Sequence, residues 1–131
     1  MTPTQGYYSI IQFCPDLGRC EAANVGVLLF CPKLGYLKAM TNPSNNRIIR
    51  FFGPDSHDWA QIDVLKQGVV DRVELESHWI KSLADLRHFI ALHANLFQFT
   101  SPNPARVTNP DHDLQDLFEE LVCDPHPLTK A

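Results

Sequence analysis

The stretch YYSIIQFCPDLGRCEAANVGVLLFC, from Tyr7 to Cys31, contains two apolar runs on either side of a short polar turn. Tyr7 to Cys14 is rich in Tyr, Ile and Phe, and Val25 to Cys31 is an unbroken apolar run, so both are predicted to be strands. Both faces of each run are largely apolar, which is typical of central strands that are covered on two sides. Pro15 to Gly18 supplies the turn, because proline fixes φ and glycine tolerates positive φ. The stretch therefore predicts a central β-hairpin.

The rest of the chain adds further strands and helices to this hairpin. Apolar patterns and turn residues predict three more strands, at Tyr36–Thr41, Leu96–Thr100 and Ala105–Val107. Helical apolar stripes and capping residues predict four helices, of which the middle two could be one helix bent near residues 76–81. These are Arg47–Phe52, a long helix capped by Asp55 or Ser56, a helix begun by the motif Ser82-Leu-Ala-Asp85, and a last helix that starts between Asn109 and Asp113.

The predicted elements fit a single α+β domain over residues 1–131. We expect an antiparallel sheet of three to five strands with helices packed mainly on one face. Residues 1–6 and 124–131 are expected to be flexible tails. Gly68 lies inside the long helix, where glycine costs about 1 kcal/mol relative to alanine, so we interpret it as a point of close packing.

The composition limits the classes of function. The 131 residues include 11 Lys and Arg against 15 Asp and Glu, and the net charge of −4 argues against a protein whose main task is binding nucleic acid. A local basic patch of Lys38, Arg47 and Arg50 beside aromatic residues keeps that alternative open. No apolar run approaches the ~20 residues of a membrane span, and Met1 to Gly6 does not resemble a signal peptide. We therefore expect a cytoplasmic protein with no membrane partner.

Residues that bind metals or act as nucleophiles follow no recognised pattern in this chain. The four cysteines form no C-x-x-C pair and are interpreted as buried thiols rather than disulfides; they are Cys14, Cys20, Cys31 and Cys123. The six histidines are scattered, and His88 and His93 are five residues apart, which does not suit a helical metal pair. The P-loop, dinucleotide-binding and nucleophile-elbow motifs are absent. We expect no metal and no cofactor, and the pattern leans toward a non-catalytic protein without excluding an enzyme.

A polar cluster at the entrance to the second strand is the candidate binding site, and it consists of Arg19, Glu21, Asn24 and Gly26. Around a tight turn these side chains would lie close together, and an Asn can donate and accept hydrogen bonds at once. The same residues could instead serve the hairpin itself, with Glu21 paired to Arg19 and Asn24 closing a bulge or turn. Gly26 indicates a bulge or a close backbone approach, or makes room for a neighbouring aromatic ring. The sequence leaves these interpretations open.

The stretch YYSIIQFCPDLGRCEAANVGVLLFCPKLGYL resembles the opening of the domain of unknown function 3037 family of small bacterial proteins. The pattern R-x-E-x-x-N-V-G-V-x-L of that family matches the run from Arg19 to Leu29, and Pro104-Ala-Arg106 with a final helix ending Leu121-Val122 resembles its C-terminal part. Where many members have Gly after the motif Arg, this chain has Cys20. The resemblance implies no settled activity. It does imply a place beside kinases resembling the HipA type, which belong to some toxin–antitoxin pairs, and hence a role in binding a protein partner.

Three functional hypotheses follow from these observations. The first is an accessory or interaction protein that regulates a partner enzyme. The second is a small enzyme or ligand-binding domain acting on a nucleotide or phosphate ester at the hairpin mouth, where Arg19 would hold an anion, Glu21 would act as base or metal ligand, and Asn24 would orient the substrate. The third, disfavoured by the charge, is a nucleic-acid binder. An exposed edge strand would also permit a homo-oligomer.

Overall fold

The computed structural model describes residues 2–16, 21–93 and 96–122, and for Asp16 and Glu21 it describes the backbone alone. Within these residues the chain forms one five-stranded antiparallel sheet, four helices and a short 3₁₀ turn at Pro32–Leu34. The strands are β1 (Thr4–Asp16), β2 (Glu21–Cys31), β3 (Tyr36–Thr41), β4 (Phe97–Phe99) and β5 (Asn103–Val107). The helices are α1 (Asn46–Phe52), α2 (Trp59–Glu76), α3 (Leu83–Leu92) and α4 (Pro110–Leu121).

The long strand β1 organises the sheet, whose order is β3-β2-β1 with both β4 and β5 on the remaining edge of β1. β4 pairs with Ile11–Phe13, and β5 pairs with Thr4–Tyr8. Thr4 to Gly6 therefore belong to the sheet, which corrects the expectation of a flexible tail over residues 1–6. Backbone pairing with β5 needs no apolar side chains, so the polar start of this strand gave no sign of it. The expectation for residues 124–131 lies outside the described residues.

Each face of the sheet is covered by helices, as the apolar residues on both sides of β1 and β2 require. Helices α1, α2 and α3 pack on one face, around a core that includes Phe13, Leu28, Phe30, Leu86 and Phe89. Helix α4 packs on the opposite face through a smaller cluster that includes Val27, Leu29, Val107, Leu114 and Phe118. The predicted α+β fold, with helices mainly on one face of an antiparallel sheet, is confirmed.

Gly26 lies at a bulge in the central hairpin. Ile11 is paired with Gly26 and the next residue, Gln12, is paired with Asn24, so Val25 is the extra residue of β2. A Cβ atom on Gly26 would lie 2.5 Å from the carbonyl oxygen of Met40 in β3. The bulge and the close backbone approach are thus both present, and the nearest atoms do not belong to an aromatic ring.

The start of α3 was predicted from the local sequence, whereas the start of α2 was not. Ser82 and Asp85 form the predicted capping box, and the backbone N–H groups of Lys81 and Ser82 lower the pKa of the Asp85 carboxyl. The long helix begins at Trp59 rather than near Asp55, because the Asp58 side chain accepts a hydrogen bond from the backbone N–H of Gln61. The prediction that Asp55 or Ser56 caps this helix was therefore wrong.

Gly68 is not a point of close packing, contrary to the expectation from its place inside α2. It is exposed, and a Cβ atom added there would meet no atom within 4 Å. The glycine instead leaves open space on the outer side of the helix.

Lys66 is the buried cation of α2, and its burial predicts a dependence of stability on pH. Its Nζ donates a hydrogen bond of 2.5 Å to the carbonyl oxygen of Asn42 and lies 3.8 Å from Oδ1 of Asp63. Burial lowers the pKa of Lys66 below its ordinary 10.5, and the Asp63 charge offsets part of that shift. Below 10.5 the unfolded chain therefore binds more protons at Lys66 than the folded chain does, so the free energy of unfolding rises with pH in this window.

We expect Lys66→Met, which removes the buried charge at similar volume, to remove the rise of the unfolding free energy with pH. Urea unfolding of both proteins from about pH 7 to pH 10 checks it, with the exposed Lys81→Met as the control for loss of a charge. As pH rises, the free energy of unfolding of the wild type should increase relative to that of Lys66→Met. A difference that stays constant over the whole range would contradict the assignment.

Candidate functional site

The hairpin mouth is only partly visible in the structure. Arg19 lies outside the described residues, and the description of Glu21 is limited to its backbone, which pairs with Asp16. The structure therefore does not test whether Arg19 and Glu21 form a pair. Asn24 and Gly26 are described, and Gly26 is the tightly packed residue beside the bulge.

Asn24 links the sheet to the end of helix α4. Its Oδ1 accepts a hydrogen bond of 2.9 Å from Nε2 of Gln12, and its Nδ2 donates one of 3.1 Å to the carbonyl oxygen of Leu121. Arg47, from α1, donates from Nη1 to the carbonyl oxygen of Val122 at 2.7 Å. The last carbonyls of a helix have no partner within the helix, so these two side chains stabilise the end of α4. Asn24 and Arg47, both singled out as candidate binding residues, thus have structural contacts.

Of the three basic residues of the proposed nucleic-acid patch, Lys38 lies on β3, whereas Arg47 and Arg50 lie one turn apart on α1. Lys38 lies 3.5 Å from the carboxylate of Asp111, which also accepts a hydrogen bond of 2.8 Å from the Tyr36 hydroxyl. Burial and the adjacent Asp111 raise the pKa of that hydroxyl. Arg47 is half-buried against α4, as described above, and Arg50 is exposed on α1. This arrangement offers little support for a basic surface.

The structure describes two of the four thiols. Cys31 is buried and Cys14 is half-buried, both are free, and burial raises the pKa of the Cys14 thiol. A raised pKa keeps the thiol protonated near neutral pH, which is the opposite of what a nucleophile needs. Cys20 and Cys123 lie outside the described residues.

Three potential metal ligands, His112, Asp113 and Asp116, meet at the start of helix α4, with ligand atoms within 4.8 Å of one another. Asp113 accepts hydrogen bonds from the backbone N–H groups of Thr108 and Asn109, and His112 lies 3.2 Å from Asp116. Capping of the helix and this ion-pair contact account for all three side chains. The expectation that the protein binds no metal stays a prediction.

A groove lies between helices α2 and α3. Its volume is about 520 Å³, against about 150 and 170 Å³ for two other depressions. The floor consists of aromatic rings and aliphatic side chains from α2, α3 and β4, namely Val69, Phe89, Leu96, Phe97 and Phe99. We call this feature the α2–α3 groove. This groove was not predicted from the sequence.

The polar end of the α2–α3 groove is formed by Arg72 and His93, which line it, and by Glu76 beside them. One carboxylate oxygen of Glu76 lies 3.0 Å from Nε2 of His93 and 3.5 Å from Nη1 of Arg72. The imidazole also contacts the ring of Phe89, with 4.6 Å between the ring centroids. Glu76 thus holds two nitrogen-bearing side chains at the same end of an otherwise apolar groove.

At the edge of the groove, which Val64 and Gly68 also line, helix α2 presents apolar side chains to solvent. Val64 is 70% exposed and Leu75 is 69% exposed. With Gly68 and Asp71 they follow one another at intervals of four, three and four residues, which places all four on one line along the helix. We call Val64, Gly68, Asp71 and Leu75 the α2 stripe. Leu92, at the end of α3, is another exposed large aliphatic residue, at 57%.

One signal in the sequence could have indicated this surface. The apolar stripe that predicts α2 consists of Trp59, Ile62, Leu65, Val69 and Val73, of which Leu65 is itself 40% exposed. Val64 and Leu75 do not belong to that stripe, so the helix carries apolar residues on a second side as well. A helix that is apolar on two sides packs against something on each of them or exposes one of them.

The comparison with protein families covers the hairpin as well as the surface of α2 and α3. A family model described as "Protein of unknown function (DUF3037)" matches residues 8–122 of the 131. The chain belongs to this family. The DUF3037 match runs from β1 to the end of α4 and therefore includes the hairpin, the α2 stripe and the α2–α3 groove. None of the curated proteins and none of the solved structures matches the chain. Among the described residues of this DUF3037 protein, no helix is long and apolar enough to cross a membrane.

Proposed function

We propose that this DUF3037 protein is a non-catalytic accessory protein that binds and regulates a partner enzyme, and that the α2 stripe is the surface it uses. The observation that carries this proposal is the exposure of Val64 and Leu75 on the same line of α2. Burial of a large aliphatic side chain contributes about 1.5–3 kcal/mol, so two exposed residues on one rigid helix are a substantial source of binding energy. A helix that carries apolar side chains on an exposed side has a face suited to packing against a partner.

The chemistry of the α2 stripe restricts its partner. Val64 and Leu75 are about 16 Å apart along the helix, and Asp71 lies between them. Asp71 keeps its charge exposed while accepting a hydrogen bond of 2.9 Å from Gln67. A complementary partner therefore presents an apolar face with a basic residue that meets Asp71. The resemblance to proteins beside HipA-type kinases makes such a kinase the first partner to test.

Two further observations support a non-catalytic protein in a reducing compartment. Burial raises the pKa of the half-buried Cys14 thiol, which keeps it protonated near neutral pH and unsuited to act as a nucleophile. Cys14 and Cys31 are free thiols, as is usual in the cytoplasm, where disulfides are rare. We therefore place the proposed complex in the cytoplasm.

A pull-down with the tagged native protein, followed by reconstitution from purified components, tests this function. We expect Val64→Glu with Leu75→Glu to weaken the reconstituted complex by at least about tenfold, because the two new carboxylates cannot enter an apolar interface. Leu34→Glu is the matched control, since Leu34 is an exposed leucine in the 3₁₀ turn, away from α2. A complex that both variants retain would contradict the role of the stripe. Failure to find a stoichiometric partner would contradict the accessory function itself.

The hairpin mouth is part of the same proposal as a second contact. Arg19 and Glu21 are the residues proposed to touch the partner there, with Asn24 and Gly26 holding the strand that carries them. Loss of the partner by a folded Arg19→Ala, Glu21→Ala variant would support this contact. Full retention of affinity by that variant would limit the binding surface to α2.

A further inference from the structure

We infer that the α2–α3 groove is a binding site for a small apolar carboxylate, with its apolar part on the aromatic floor and its carboxylate at Arg72. This inference goes beyond the proposed function, because it concerns the isolated chain and needs no protein partner. Cavities that bind small molecules usually measure about 300–1,000 Å³ and have apolar walls with a few polar groups. The groove, at about 520 Å³, has this size and this distribution of groups.

The floor of the groove is preformed. Phe89 is fully buried in α3, Phe97 and Phe99 lie on β4, and the ring centroids of Phe89 and Phe99 are 5.6 Å apart. β4 is fixed to β1 by backbone pairing, and Thr100, which follows it, accepts a hydrogen bond of 2.6 Å from the buried Ser9 hydroxyl. These buried rings form a fixed layer beneath the groove, and a ligand would lie over it without having to order it.

Gly68 keeps the outer side of the groove open. It lines the cavity, and a Cβ atom there would meet nothing within 4 Å. Neither packing nor a left-handed backbone requires glycine at this position. Glycine in a helix costs about 1 kcal/mol relative to alanine. The open space beside Gly68 is therefore the structural effect left to account for a glycine at this position.

The charges at the polar end select the head group of the ligand. Arg72 and His93 are the titratable side chains that line the groove, and the described contact of Arg72 with Glu76 is long, at 3.5 Å through Nη1. The planar guanidinium can therefore present its other N–H groups to a carboxylate. Glu76 places a negative charge beside the same end, which disfavours a dianion such as a phosphate monoester. A monoanionic carboxylate on an apolar body can accept hydrogen bonds from Arg72 and is repelled less by Glu76 than a dianion is.

Calorimetric titration of the isolated protein with decanoate, decylammonium and acetate tests this inference. The first two share a chain and differ in charge, and acetate supplies the carboxylate alone. We expect decanoate to bind about tenfold more tightly than decylammonium, and acetate not to bind detectably. Equal affinity for the two decyl compounds, or no binding of decanoate at millimolar concentration, would overturn the inference.

Three variants locate the site. Arg72→Gln should weaken decanoate binding about tenfold and remove the preference over decylammonium, whereas Arg87→Gln, an exposed position on α3 that does not line the groove, should leave both unchanged. Gly68→Leu adds a side chain at the opening of the groove on an exposed helix position, so it should fold and lose decanoate. Unchanged decanoate affinity in either Arg72→Gln or Gly68→Leu would overturn the site. Because no partner is present, these results are independent of those for the α2 stripe.

Discussion

Gly26→Ala is expected to lower the free energy of unfolding by about 2 kcal/mol, although it adds a single methyl group. The new Cβ would lie 2.5 Å from the carbonyl oxygen of Met40, 3.0 Å from Cγ2 of Thr41 and 3.1 Å from Cδ1 of Ile11. The first of these atoms belongs to the backbone of β3, and Gly26 is paired directly with Thr41 in the β2–β3 ladder. Relief of the overlap therefore requires a shift of β3 relative to β2. Urea unfolding of the two proteins measures the difference.

Gly68→Ala is the matched control for this prediction. The substitution is identical, but the new Cβ meets no atom within 4 Å and the position is exposed on α2. We expect Gly68→Ala to raise the free energy of unfolding by roughly 0.5–1 kcal/mol, since alanine restricts the unfolded chain and favours the helix. The two changes should thus have opposite signs. If Gly26→Ala is neutral, the close approach between β2 and β3 is not as tight as described.

Asn24→Ala is expected to lower the free energy of unfolding by about 2 kcal/mol, because it removes two half-buried hydrogen bonds of about 1 kcal/mol each. The Gln12 amide and the Leu121 carbonyl lose their partner together. The end of α4 should then open more readily, so hydrogen exchange should become faster at the backbone amides of residues 110–122. Chemical denaturation and exchange measured by mass spectrometry check both parts.

Two comparisons separate this role of Asn24 from a role in binding alone. Asn103→Ala, at an exposed position on β5, should change stability by less than about 0.5 kcal/mol. A double-mutant cycle of Asn24→Ala with Gln12→Ala should give a coupling energy of about 1 kcal/mol, since one of the two bonds of Asn24 is to Gln12. Normal stability and unchanged exchange in Asn24→Ala would show that α4 does not depend on this residue.

The sequence was sufficient wherever a short local pattern determines the structure. The hairpin, β3 at Tyr36–Thr41 and the capping box of Ser82 and Asp85 follow from side-chain alternation, turn residues and a four-residue motif. The start of α2 did not follow, because Asp55, Ser56 and Asp58 are all residues that can cap a helix. Hydrogen bonds within the loop before the helix decide among them, since the Ser56 hydroxyl donates to the Gly53 carbonyl and the Trp59 indole donates to that of Pro54.

The candidate site was harder to predict, because it depends on how elements distant in the chain come together. Phe89, Phe97 and Phe99 read as ordinary core residues, and no local pattern shows that α2 and α3 leave a groove above them. His93 was considered only in relation to His88, whereas its contacts are with Glu76 and Phe89. Asn24 was singled out as a residue that either binds a ligand or closes the hairpin, but its contact with Leu121 spans 97 residues and could not be predicted from one sequence.

Methyl NMR of the protein, titrated with the purified partner, tests the central claim most directly. The account predicts that the methyl signals of Val64, Leu65, Leu75 and Leu92 shift or broaden as the complex forms, while those of the exposed Leu34 do not change. A complex that forms at the expected stoichiometry and leaves the methyl groups of Val64 and Leu75 unperturbed would contradict the proposal that the α2 stripe is the binding surface.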